Sequence, residues 1–133
     1  MAATSPYRTS SDLVLEVLKR THVLAVGQAV DPDDFALVND NLESVFRKLA
    51  ALEIVYVGDR DNIPAPWFSD LVDIVAGESA TTLGISGQDM VDLVTKGLGG
   101  LGGVDIGAGA AAKSLKVICR GRPTYEVYRM QCF

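Results

Sequence analysis

Residues 31–52 read DPDDFALVNDNLESVFRKLAAL. The stretch opens with three overlapping signals for a helix start. Asp31 carries a carboxylate that can accept from the unpaired amides of a first turn. Pro32 follows at the first helical position, where its missing N–H costs nothing, and Asp33 and Asp34 sit at the positive end of the helix dipole. Phe35, Val38, Leu42, Val45, Phe46, Leu49 and Leu52 then return at steps of three and four, with Asn39, Asp40, Glu43, Arg47 and Lys48 between them. The spacing predicts an amphipathic helix of about five turns, roughly 30 Å long. One apolar stripe on a long helix needs other elements to cover it, so a bundle is expected around this one.

On its N-terminal side, Leu13, Val14, Val17 and Leu18 share a face opposite Glu16, Lys19 and Arg20. This predicts a helix from Asp12 to about His22 with Ser11 as its N-cap. Residues 1–10, with Thr4, Ser5, Pro6, Thr9 and Ser10, read as a flexible or extended arm. On its C-terminal side, residues 54–57 are a short β-branched and aromatic run ended by Gly58 and the polar residues 59–62, expected as an extended segment or one arm of a small hairpin. Ile63 and Pro64 lead through Ala65 and Pro66 into a third helix carrying Trp67, Phe68, Leu71, Val72 and Val75, closed by Gly84. Ser86 with Asp89 resembles a capping box opening a fourth helix, whose apolar side is Met90, Val91, Leu93 and Val94.

Seven of the 13 glycines lie in residues 97–109, where each costs a helix about 1 kcal/mol relative to alanine, so a hinge is expected there. Residues 110–118 can resume a helix. Gly121 and Pro123 then forbid its continuation, and residues 124–130 alternate as an extended tail. The expected fold is therefore mainly α, a small bundle of three to five helices with a short extended segment after the second and an extended C-terminal arm. The 133 residues suit a single domain: an arm at 1–10, a helical body at 11–96, a glycine-rich hinge at 97–109, and a helix with a docking arm at 110–133.

Charge divides along the same line. Residues 1–109 carry 7 Lys and Arg against 16 Asp and Glu, net −9, whereas residues 110–133 carry Lys113, Lys116, Arg120, Arg122 and Arg129 against Glu126, net +4. An overall charge of −5 argues against a general nucleic-acid binder, which presents a basic face to phosphates. The weakly polar residues 97–112 fall short of the run of about 20 apolar residues that spans a bilayer. Cys119 and Cys132 with the lone His22 do not supply the four ligands of a structural zinc site, and no secretory signal is legible at the N-terminus, so two free thiols in a reducing compartment are expected, with one disulfide between the two cysteines as the alternative.

Three patterns invite a chemical reading. Gly97, Gly99 and Gly102 fit GxGxxG, and Gly107 with Lys113 and Ser114 approaches the P-loop pattern. The first lacks a preceding strand, and Ala112 stands where the second needs glycine, so neither nucleotide binding nor any other cofactor is expected. Asp31, Asp33 and Asp34 are explained by helix capping. Asp59 and Asp61 lack the glycine and distal glutamate of a calcium loop and read as a solvated turn. His22 sits where a helix C-terminus favours it, with no nucleophile pointing to it. No catalytic, cofactor or metal residue is assigned. Arg120, Arg122, Tyr125, Tyr128, Arg129 and Phe133 differ in kind, because arginine and tyrosine are enriched at protein interfaces. They are the candidate partner-binding residues, with a strand folded back onto the body as the competing explanation.

The order of these signals resembles the head-to-tail connector proteins of tailed phages, also called adaptor, head-completion or packaged-DNA stabilisation proteins. The resemblance is carried by the opening helix SDLVLEVLKR (11–20), the loop ending in Asp31 and Pro32, the long helix with Ala36, Leu37 and NLESVF (41–46), the extended residues 54–57, Ile63 with Pro64, and the alanine-containing third helix. It covers about residues 11–84. Members often carry a tryptophan near the end of the second helix and a glycine just after it, where this chain has Leu49 and Leu52, and the glycine-rich insertion has no counterpart in the pattern. The resemblance implies a structural virion protein at the head–tail junction. Its subunits form a ring, dodecameric in the family, beneath the portal protein; the ring extends the DNA channel, helps to retain DNA, and gives a nozzle, hub or tail-terminator protein its platform. DNA would pass without sequence-specific binding, and no membrane is involved. The alternatives are a small cellular helical adaptor and, further off, a metal-dependent hydrolase using Asp59 and Asp61.

Overall fold

A computed structural model describes residues 7–24, 27–58, 60–101, 103–119 and 130–132. The fold is mainly α. In chain order the elements are β1 (Tyr7–Arg8), α1 (Ser10–Arg20), α2 (Pro32–Ala51), β2 (Val55–Val57), β3 (Ile63–Pro64), α3 (Ala65–Ser79), α4 (Gly87–Lys96), α5 (Ala110–Cys119) and β4 (Met130–Cys132).

The long helix α2 has the start that its sequence specifies. Asp31 is the N-cap, its side chain accepts from the Asp33 amide at 2.9 Å, and Pro32 opens the first turn. Val38, Leu42, Val45, Phe46 and Leu49 are buried along the inner stripe. Helix α1 begins earlier than expected, because Thr9 and not Ser11 is the cap. The Thr9 hydroxyl accepts from the Asp12 amide, and the Asp12 carboxylate accepts from the Thr9 amide, closing a capping box. Thr9 and Ser10 therefore leave the expected arm, and Tyr7–Arg8 pairs as a strand; residues 1–6 lie outside the described residues.

Helix α3 is the centre of the molecule. Trp67, Leu71, Val72, Ile74 and Val75 are fully buried on more than one of its faces, the pattern of a helix surrounded by others. It touches α1, α2, α4 and α5, and removing each large apolar side chain from water contributes about 1.5–3 kcal/mol. Its few polar groups are tied to its neighbours. Ser79, itself buried, accepts from Asn41 of α2 at 3.1 Å; Glu78 pairs with Lys48 of α2 at 3.2 Å; and Arg20 at the end of α1 reaches Asp73 and both the hydroxyl and carbonyl of Ser69.

Helix α4 docks by a different means. Its apolar residues Met90, Val91, Leu93 and Val94 are only half-buried, yet its backbone lies directly on α3. A Cβ at Gly77 of α3 would stand 2.8 Å from the Leu93 carbonyl oxygen, and one at Gly97 would stand 2.7 Å from the Asp73 carbonyl oxygen. The two glycines are reciprocal: each removes the side chain that would hold the helices apart. Ser86 occupies the N-cap of α4 but makes no side-chain cap bond, so the expected capping box does not form. The chain passes next through Gly87 at φ +67°, a left-handed turn that redirects the first helical amides.

The short strands pair with partners far away in sequence. β1 runs antiparallel to β3, with Arg8 opposite Ile63; β2 runs antiparallel to β4, with Tyr56 opposite Gln131. Residues 54–57 are therefore not half of a local hairpin. The expectation of two free thiols is also overturned: Cys119 is disulfide-bonded, and the one other cysteine of the sequence is Cys132 in β4.

Candidate interaction surface

The predicted partner-binding residues Arg120, Arg122, Tyr125, Tyr128, Arg129 and Phe133 all lie outside the described residues. The described residues on either side of 120–129 are nonetheless anchored. Cys119 closes α5, whose Ala111, Ala112 and Leu115 are buried against the core, and Met130–Cys132 pairs with β2. Of residues 110–133, Ala110–Cys119 is a helix packed on the core and Met130–Cys132 is a strand, and the expected docking arm between them lies outside the described residues. The final strand itself lies antiparallel to β2, with Val57 opposite Met130.

Residues 97–101 and 103–109, where a hinge is expected, are laced by main-chain hydrogen bonds. The Leu98 carbonyl accepts from both the Gly107 and Gly109 amides, at 2.8 and 3.1 Å, and Gly97 accepts from Ala112 at 3.2 Å. Gly99 and Gly100 donate to Val94 and Val104, each at 2.8 Å, and Lys116 of α5 caps the Gly107 carbonyl at 3.0 Å. A Cβ at Gly109 would overlap the main chain at Gly97 and Leu98. Glycine is used here because main chain meets main chain. A phosphate-binding loop needs its amides turned outward, whereas the Gly99, Gly100, Gly107 and Gly109 amides are bonded to main-chain carbonyls of α4 and of the loop.

The carboxylates of the alternative hydrolase are also placed. Asp59 lies outside the described residues. Asp61 does not stand free in a solvated turn: its Oδ1 accepts from the Ser10 hydroxyl at 2.9 Å and from the Ser10 amide at 3.4 Å, adding a negative charge to the N-terminus of α1. His22 is exposed just past α1, at φ +61°, with its amide donating to Lys19. Between α1, α3 and α5, burial pushes the Asp70 carboxyl up from its ordinary value of 3.8; a hydrogen bond from Ser114 pulls it down, Asp73 raises it and Arg20 lowers it.

Two surface concavities were not anticipated from the sequence. The first, about 290 Å³, lies between α3, α4 and the glycine loop, with Met90, Val94, Leu101 and Ile106 as its apolar lining and the Lys48–Glu78 pair at its edge. The second, about 330 Å³, lies between the C-terminal half of α2 and the β2 connection. Phe46, Ala50 and Val57 form its apolar wall, and Arg47, Tyr56 and Arg60 are its polar groups beside Glu43. Arg47 is 80% exposed and held by Glu43 one turn earlier at 3.0 Å. Tyr56 is exposed between two buried valines.

Arg60 is half-buried, and its Nη2 donates to the Asn39 side-chain oxygen at 3.0 Å and to the Asn39 carbonyl at 3.4 Å. Its Nε is buried without a hydrogen-bond partner among the described residues, an arrangement that costs about 1–3 kcal/mol. The sequence signal for this pocket was a single arginine between two aspartates, which pointed instead to a solvated turn.

Among the described residues no group of three or more His, Cys, Asp or Glu could hold a metal ion, and no helix is long and apolar enough to cross a membrane. Comparison of the chain with protein-family models, with characterised proteins and with solved structures finds no match to any of them.

Proposed function

We propose that this chain is a structural subunit of a tailed-phage head-to-tail connector, one copy in a ring, dodecameric as in the family it resembles, that sits beneath the portal and extends the DNA channel toward the tail. The observation that carries the reading is the order of elements over residues 11–84. A first helix, an Asp31–Pro32 helix start, a long helix bearing NLESVF, a short strand, Ile63–Pro64 and an apolar third helix follow one another as in that family. Asn41 of that motif ties α2 to α3 through Ser79, which gives one of the shared residues a packing role.

The charge pattern supports the same job. A body with net −9 over residues 1–109 repels phosphates, so DNA can slide past an inner wall that does not grip it. A disulfide at Cys119 suits a particle that leaves the reducing interior of its host. Residues 120–129, bearing Arg120, Arg122, Tyr125, Tyr128 and Arg129, would serve as a basic and aromatic contact segment anchored at both sides. The portal and a tail protein are its proposed partners, and repetition around a ring would multiply weak contacts.

Light scattering tests the assembly. The purified chain is expected as a monomer or weak oligomer at micromolar concentration, closing into a ring when mixed with the portal protein encoded near it. A portal or terminase gene in the flanking sequence supports the reading. The absence of both, or a portal that leaves this chain monomeric, counts against it.

A further inference from the structure

We infer that the pocket between α2 and β2 is a docking site for a carboxylate carried on a protein partner, an acidic side chain or chain terminus with apolar neighbours. The guanidinium of Arg60 is oriented in advance, because Asn39 takes its Nη2 with both a side-chain and a main-chain oxygen. The same guanidinium has a buried Nε–H with no acceptor among the described residues. The group is thus fixed and still short of one hydrogen bond, a deficit that an incoming oxyanion can relieve after a small shift toward the pocket.

Arg47 lines the same pocket, mostly exposed and paired along its own helix with Glu43, an exchange partner that a second carboxylate can displace. Phe46, Ala50 and Val57 supply an apolar wall, and the Tyr56 ring lies partly open beside them.

The surroundings select the ligand class. Among the described lining residues two arginines stand against Glu43, within a body that is net −9 over residues 1–109. A polyanion such as duplex DNA must bring many charges near that body, whereas a single carboxylate brings one. An apolar wall rewards side chains beside that carboxylate, which a phosphodiester lacks. The inference is independent of the connector reading and holds for any partner that presents this chemistry.

The test uses the full chain, ¹⁵N-labelled, with the Arg60 Nε–H resonance as the readout. The probe is acetyl-Leu-Asp-Leu-amide; acetyl-Leu-Asn-Leu-amide, inorganic phosphate and a short DNA duplex are the comparison arms. The aspartate peptide is expected to shift the Arg60 resonance saturably while the Nε–H signals of Arg8 and Arg20 stay in place. Arg60→Gln should abolish binding, and Arg47→Gln should weaken it about two- to fivefold, the effect of losing an exposed ion pair. Circular dichroism checks that each variant is folded, and if Arg60→Gln does not fold, Arg47→Gln on the surface carries the comparison. The proposal is overturned by an unmoved Arg60 signal, by an equal response to the asparagine peptide, by a uniform shift of all arginines, or by tighter binding of phosphate or DNA.

Discussion

The two halves of the bundle are held together by different physics. Between α1, α2 and α3, large side chains interlock: Leu13, Leu18, Leu42, Leu49, Trp67 and Leu71 are all essentially excluded from water. Between α3, α4 and the loop leading to α5, side chains are withdrawn and main chains approach directly at Gly77, Gly97 and Gly109. The first arrangement gains stability in proportion to the apolar area removed from water. The second gains little area and depends on close contact between backbones, so it is intolerant of even one added methyl group. A region poor in buried side chains can thus be the more tightly constrained of the two.

Four substitutions separate the halves. The largest loss is expected from Trp67→Ala, which empties the core beneath the first turn of α3 and should cost about 3–5 kcal/mol, measured by denaturant unfolding as one cooperative transition. A loss below 1 kcal/mol would show that this half is not the side-chain core described here. Next is Cys119→Ser. Opening the covalent loop between residue 119 and the sequence's other cysteine should cost about 3 kcal/mol on the loop-entropy account, with the same loss seen in the unsubstituted chain under reductant.

Gly77→Ala should cost about 1–3 kcal/mol, because the new methyl meets the Leu93 carbonyl and main chain has little room to yield. Its signature is local. Hydrogen exchange should quicken in α4 and the glycine loop well before α1 and α2, whereas Trp67→Ala should quicken exchange throughout. Equal acceleration everywhere would erase the distinction between the halves.

The smallest effect concerns Asp70, where α1, α3 and α5 meet. Its folded carboxyl holds a proton more tightly than the unfolded one, so the folded state binds more protons in the interval just above 3.8, and stability falls as pH rises through that interval. Asp70→Asn should flatten this part of the stability curve and change stability at neutral pH by less than about 1 kcal/mol, since the partly exposed site screens the charge. An unchanged slope on titration would remove the proposed role of burial.

What could be read in advance follows the range of the interactions. α2 was legible at its start because Asp31, Pro32 and the periodic apolar residues all act within a few residues of one another. α1 was misplaced slightly, since Ser11 resembles a cap when Asp12 is read as helix and not as the reciprocal partner of Thr9. The strand pairs were not legible, because β1 finds β3 and β2 finds β4 across more than 50 residues and each strand is too short to carry a pattern of its own. The close main-chain contacts of the glycine loop were not legible for a related reason. Local propensity counts what glycine costs a helix, and only the tertiary neighbours reveal what a Cβ there would strike. Arg60 failed in the same way, since its orientation depends on Asn39, twenty-one residues upstream.

The strand pairing also sets how the subunit carries mechanical load. The first described strand is clasped by β3 and the last by β2, and β2 and β3 are joined by a single short connection, residues 58–62. Tension applied between the two ends therefore has a path through β1, β3, that connection, β2 and β4 that bypasses the helical core. The weakest link on that path is the two-residue pairing of Tyr7–Arg8 with Ile63–Pro64, so a pulled subunit should let go of its N-terminal strand while its helices remain assembled.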